Sequence, residues 1–131
     1  MIFVDSSFFI ALVDRKDQWH PDAKAILPVL ADEMILISDL IIAESVTIIG
    51  RRSGGKAGEQ LYHYFMDNCD LIVMDEKILN GSMSVFLRYD GTLSVSDAVS
   101  VFIMKKKNTE RIVSFDSDFD KVEGIVRIHE F

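Results

Sequence analysis

The chain opens on an apolar run, Met1-Ile2-Phe3-Val4, that stops abruptly on Asp5 and two hydroxyl residues, Ser6 and Ser7. Apolar residues without polar alternation fit a strand covered on both faces in a parallel sheet. Ser6 or Ser7 is placed to cap a helix from Phe8 to Val13. A polar loop at Asp14–Gln18 follows, and Pro21 suits the first position of a helix reaching about Leu30. Met34-Ile35-Leu36-Ile37 reads as the second buried strand. Asp39 is positioned to cap a long helix, about Leu40 to Arg52, whose length and Ala43-Glu44 centre outweigh its isoleucines. Ser53-Gly54-Gly55 breaks the pattern. Lys56 to Asn68 resumes as an amphipathic helix with Leu61, Tyr64 and Phe65 on one side. The third strand is Leu71–Met74, and Asp75 caps a helix to about Arg88 with an interior Gly81. Tyr89-Asp90-Gly91 forms a turn. Ser94, with Asp97 three residues on, starts a helix in capping-box fashion that runs to Lys106. Ile112-Val113-Ser114-Phe115 is the fourth strand, ending on Asp116, and Ile125–His129 is a final edge strand.

Strands alternating with helices at this spacing predict βαβ units. The fold class is α/β, in three α/β/α layers around a central parallel sheet of about five strands. Right-handed crossovers bring every strand-to-helix junction to one edge of such a sheet.

Composition narrows the picture. The 131 residues fit one domain, long enough to bury roughly two-thirds of the unfolded surface. Hydrophobic residues make up 49% of the chain, enough to leave apolar surface for self-association. No apolar run approaches the ~20 residues of a membrane span, and the start lacks the form of a signal peptide, so a cytoplasmic location is expected. A lone Cys69 excludes an intramolecular disulfide and a multi-cysteine zinc site. His20, His63 and His129 lack ligand spacing and read as structural or surface residues. The net charge of −7 argues against a protein that coats nucleic acid with an overall positive field. It leaves open an enzyme whose acids are concentrated in one place.

The acids are concentrated. Asp5 and Asp116 end buried strands, Asp97 lies in a first helical turn, and Asp39 and Glu44 lie early in the long helix, all toward one sheet edge. Oxygen-only ligands suit hard cations, Mg²⁺ or Mn²⁺, over zinc or iron. Like charges at ~4 Å repel by ~4 kcal/mol at an effective dielectric of 20, so convergent carboxylates require protons or cations. Acids at strand ends also cap helices and favour the helix dipole, and that suffices for Asp39 and Asp75. Glu44 on a mostly apolar helix is different, because a buried glutamate needs a partner.

From end to end the chain resembles PIN-domain ribonucleases of the VapC-like toxin type. The motif-bearing segments are Ile2-Phe3-Val4-Asp5-Ser6-Ser7, Ala43-Glu44, Leu93-Ser94-Val95-Ser96-Asp97-Ala98 and Ile112-Val113-Ser114-Phe115-Asp116-Ser117-Asp118-Phe119. Each is weak alone; their order and spacing are specific. The resemblance implies a PIN-like fold and an acidic quartet of Asp5, Glu44, Asp97 and Asp116 that binds Mg²⁺ or Mn²⁺. Asp118 fits a secondary acidic position, and Ser7 and Ser114 match pocket-lining positions where Thr or Asn is also found. Also implied are an RNA substrate, phosphodiester hydrolysis, a homodimer and a cognate antitoxin whose tail enters the acidic site. Arg51, Arg52 and Lys56 are candidate RNA contacts, against the plainer reading of a solvated helix end.

Three other readings compete. Gly50-Arg51-Arg52-Ser53-Gly54-Gly55-Lys56-Ala57 approximates a P-loop but lacks the Mg²⁺-binding hydroxyl at Ala57 and follows a helix, not a strand. A receiver-type domain would accept phosphate on Asp75 but should open with paired acids. A catalytically degenerate PIN module would serve as a nucleic-acid or protein-binding scaffold.

Overall fold

A computed structural model describes all residues, Met1–Phe131. Five short strands, β1 (Ile2–Val4), β2 (Ile35–Ser38), β3 (Asp70–Ile72), β4 (Arg111–Val113) and β5 (Val126–Ile128), form one sheet in the order β3-β2-β1-β4-β5. Every pairing is parallel, with Phe3 opposite both Leu36 and Ile112, and Val4 opposite Val113. The central strands are the apolar ones. β1 and β2 are buried throughout, whereas β3 and β5 at the edges are exposed or half-buried.

Six helices cover the sheet: α1 (Ser6–Val13), α2 (His20–Leu30), α3 (Asp39–Ser53), α4 (Gly55–Asn68), α5 (Glu76–Arg88) and α6 (Val95–Lys106). From β1 the chain steps outward through β2 to β3, then crosses back to β4 and β5. Right-handed crossovers therefore place α1–α4 on one face and α5–α6 on the other. Packing follows this division, with α1 against α2 and α3, α3 against α4, and α5 against α6. The core joins Phe3, Leu36 and Ile112 of the sheet to Phe8, Phe9, Ile41 and Phe65 on one side and Val99, Ile103 and Met104 on the other.

Two glycines carry specific loads. Gly54, at φ +96°, makes the sharp joint between α3 and α4, a conformation that side-chain-bearing residues rarely adopt. The P-loop-like segment is thus a helix break. Gly81 lies flush against the Phe102 ring, which leaves no room for a Cβ and explains an interior glycine in α5.

Several boundaries differ from those the sequence predicts. α1 starts at Ser6 with Asp5 as its N-cap, because the Ser7 hydroxyl is engaged elsewhere. Ser38 caps α3, accepting from the Ile41 N–H at 3.4 Å, while Asp39 accepts from the Met74 N–H at 3.0 Å and ties α3 to the segment after β3. β4 stops at Val113, two residues short of Phe115, and Asp116 instead caps a 3₁₀ helix, Ser117–Lys121. Asp75 caps α5 as expected, accepting from the Ile78 N–H at 2.8 Å. No helix is long and apolar enough to cross a membrane.

Candidate active site

The direction of the chain reverses at β1, and in open α/β sheets ligands bind beyond the strand C-termini at such a switch point. Asp5 stands there. Its backbone N–H donates to the Val113 carbonyl at 3.0 Å, which locks it to the end of β4. Its Oδ2 accepts from the Ser7 hydroxyl at 2.9 Å and the Ser114 hydroxyl at 2.8 Å. Both hydroxyls accept in turn, Ser7 from the Phe115 N–H and Ser114 from the Asp116 N–H, each at 3.0 Å. Each serine has one proton and gives it to Asp5. Their mutual approach of 3.3 Å is therefore a contact between oxygens, not a further hydrogen bond.

Beside this corner, three more carboxylates meet. Ser94 caps α6 by accepting from the Asp97 N–H at 3.0 Å, which sets Asp97 in the first turn. Asp116 accepts from the Asp118 N–H at 2.9 Å and folds the chain so that both acids face the same way. Oxygens of Asp97, Asp116 and Asp118 all lie within 4.8 Å of one another, and each residue is half-buried. Asp5 and Glu44 stand outside that group but within electrostatic reach. Glu44, in the second turn of α3, is exposed rather than buried, so no core partner is needed to keep it there.

The electrostatics record the crowding. Burial above all, with the charges of Asp5, Asp116 and Asp118 and against the hydrogen bond from Ser94, pushes the Asp97 carboxyl up to about 7. Burial also raises Asp5, opposed by the hydrogen bonds from Ser114 and Ser7 and assisted by the charge of Glu44. The nearest counter-charge is Lys121, 3.0 Å from Asp118, in a pair nearly half exposed and therefore weak. Several carboxylate oxygens, one nearby ammonium and no imidazole or thiolate make a donor set that fits a hard divalent cation.

The basic residues lie apart from this cluster. Arg51 and Lys56 are exposed at the α3–α4 joint. Arg52 is committed to the loop between α1 and α2, paired with Asp14 at 3.1 Å and Asp17 at 3.0 Å. Burial pushes the Cys69 thiol up to about 11, so it stays protonated and unreactive. Absent from the sequence reading is an aromatic stack beside the acids. Phe115, between Ser114 and Asp116, lies parallel to Trp19 at 5.3 Å and stacks on Phe8 at 6.5 Å. The available signal was the chain's single tryptophan, set just after a polar loop.

Fold and acids together define the class. The PIN domain family model matches residues 2–125, and the chain belongs to that family. Among known proteins, it is 29% identical to the 23S rRNA-specific endonuclease VapC20 of two Mycobacterium tuberculosis strains, over 98% of each chain. The crystal structure of Mycobacterium tuberculosis VapC20, described as a sarcin-ricin loop cleaving toxin, superposes with a TM-score of 0.87 at 25% identity over 98% of both chains. A toxin–antitoxin complex from Klebsiella pneumoniae shares the fold at a TM-score of 0.74 and 17% identity over 96% of both chains. VapBC2 of Rickettsia felis, solved with a promoter DNA fragment, shares it at 0.71 and 13% over 98% of both.

Proposed function

We propose that this protein is a divalent-metal-dependent endoribonuclease and the toxin of a toxin–antitoxin pair. The observation that carries the reading is the meeting of Asp97, Asp116 and Asp118, within electrostatic reach of the hydroxyl-braced Asp5, at the switch point of a PIN fold. Asp5, Glu44, Asp97 and Asp116 are the residues that would hold Mg²⁺ or Mn²⁺, with Asp118 as a further ligand. The chemistry supplied by one or two such ions, once held, is polarisation of a phosphate and acidification of a water. The chain's own part is to fix its acids. Ser7 and Ser114 aim Asp5 and oppose the rise that burial imposes on its carboxyl, and the Ser94 and Asp116 caps set Asp97 and Asp118. No side-chain nucleophile is required. The oxygen-lined cleft repels a phosphate backbone unless cations are present, which supports metal dependence.

The 29% identity to VapC20, named for cleavage of 23S rRNA, supports an RNA substrate and makes an exposed ribosomal loop the first to offer. The same likeness supports an antitoxin partner, and a basic side chain from such a partner would complement the acids. A homodimer is supported by an exposed apolar stripe on α5. Leu79, Met83 and Leu87 recur every four residues and are 39%, 39% and 77% exposed. The decisive experiment incubates purified protein with 23S rRNA and Mg²⁺ or Mn²⁺ and sequences the new ends. Discrete cleavage that chelation abolishes, and that Asp5→Asn and Asp97→Asn lose while staying folded, is expected; undiminished cleavage by either variant overturns the reading.

A further inference from the structure

Trp19 is the chain's only tryptophan and is 40% exposed, an unusual place for so large an apolar ring. Its position is built. The Trp19 backbone N–H donates to Asp17 Oδ1 at 2.9 Å, and the other Asp17 oxygen is held by Arg52 at 3.0 Å. The next residue, His20, places Nδ1 2.7 Å from the Ala11 carbonyl and ties the start of α2 to α1. The indole then lies within 6° of parallel to Phe115. Phe115 is itself fixed, its N–H donated to Ser7 and its ring stacked on buried Phe8. Three rings thus run from the core to the surface, and the last presents a rigid aromatic face beside the residue that precedes Asp116.

We propose that this face of Trp19 is a base-stacking subsite, which holds an unpaired nucleobase of the RNA next to the phosphate delivered to the acids. This rests on the ribonuclease reading and adds where the substrate is gripped. An acidic protein cannot hold RNA through general attraction, so non-ionic contact has to supply part of the affinity. Stacking on an aromatic ring serves any base, needs no positive charge, and selects single-stranded over paired RNA, because a base within a helix has no free face. Arg52 acts here as a positioning residue, through Asp17.

As the sole tryptophan, Trp19 is also its own reporter. The Asp97→Asn variant, titrated with oligoadenylate, should show quenched indole fluorescence; an abasic oligoribonucleotide of equal length should leave the signal unchanged. In cleavage of 23S rRNA, Trp19→Ala should lose roughly 5- to 150-fold in kcat/KM, the range for one stacked base, mostly through KM. Trp19→Phe should recover most of it, and the thermal shift induced by Mn²⁺ should be the same in all three proteins. Equal quenching by the abasic strand, or wild-type kcat/KM in Trp19→Ala, overturns the subsite and leaves the nuclease reading standing. Failure of wild-type protein to cleave any RNA overturns the nuclease reading instead, and base-dependent quenching still decides whether Trp19 stacks bases.

Discussion

The two halves of the acidic cleft are built on opposite principles. The Asp5 corner is complete in itself. Its carboxylate is only 6% exposed and receives two hydroxyl hydrogen bonds, and those hydroxyls are held by two backbone N–H groups. The other half, Asp97 with Asp116 and Asp118, is three acids within 4.8 Å and one surface lysine. One half is satisfied by the protein and the other is left short of positive charge. A fold that braces one carboxylate and crowds three has set part of its stability aside for a ligand, since a group left in repulsion is a group that gains from binding.

The largest effect that separates the halves comes from Asp97→Asn. Cleavage should fall by about 10²–10³-fold or more, the scale for one preorganised electrostatic group. Above about pH 7, where Asp97 is charged, the same change should raise the melting temperature of the metal-free protein, because it removes a buried charge that its neighbours also repel. Asp5→Ala should also abolish cleavage but lower that temperature, because the buried Ser114 hydroxyl and the half-buried Ser7 hydroxyl lose their acceptor, at a cost of about 1–3 kcal/mol for a buried group. Opposite signs in calorimetry without metal would sharpen the contrast, and equal signs would break it. Ser114→Ala is next. It leaves every carboxylate in place and should cost about 10- to 100-fold in activity or metal affinity, as loss of an outer-shell partner does. Titration with Mn²⁺ followed by thermal shift measures it.

A pH series tests the crowded half alone. Asp97 holds its proton up to about 7 in the folded chain, whereas an unfolded aspartate releases it near 3.8. Between those values the folded state binds more protons, so without metal this contribution to stability is present at the acid end and is lost as pH rises to about 7. Asp5 shifts in the same direction. Asp14, Glu33 and Asp120 are lowered by their cationic or hydrogen-bonding partners, so their opposite contributions fall away in more acid solution. Subtracting the melting curve of Asp97→Asn isolates the effect. A shift of a few degrees is expected, erased by millimolar Mn²⁺; identical curves for the two proteins would show that the crowding has no energetic consequence.

The same contrast governs what the sequence disclosed. The parallel sheet, its helices and the strand-end acids were legible, because buried runs such as Ile2-Phe3-Val4 and caps such as Ser94 and Asp75 are local signals. Capping at the other junctions was less so. Ser7 and Asp39 are adequate caps by sequence, and long-range partners, the Phe115 N–H for one and the Met74 N–H for the other, draw both away from that role. Exposure of Glu44 was misjudged for a related reason. An apolar helix suggests burial all round, but the side of α3 nearest the cleft has nothing packed over Ala43 and Glu44. The Trp19–Phe115 stack joins residues 96 apart in sequence, which no periodicity can reveal.

The smallest effect falls on the scaffold of the crowded half. Arg127, on β5, has a side chain only 10% exposed. Its Nε and Nη2 grip both oxygens of Asp120 at 2.9 and 3.0 Å, and Nη1 donates to the Ser114 carbonyl at 3.2 Å. One planar guanidinium thus clasps both ends of the segment that carries Asp116 and Asp118, a fork that an ammonium cannot reproduce. Because it touches the loop and no cleft carboxylate, its loss should loosen those two acids without altering their charge. Arg127→Gln and Arg127→Lys should each weaken Mn²⁺ binding less than ~10-fold, below the usual range for outer-shell partners, and leave kcat unchanged at saturating metal. Asp5 is braced by Ser7, which Arg127 does not touch, and by the hydroxyl of Ser114, whereas Arg127 holds that residue's carbonyl. A loss of kcat that excess Mn²⁺ cannot restore would therefore mean that the two halves move together, and the division between a braced and a crowded half would fail.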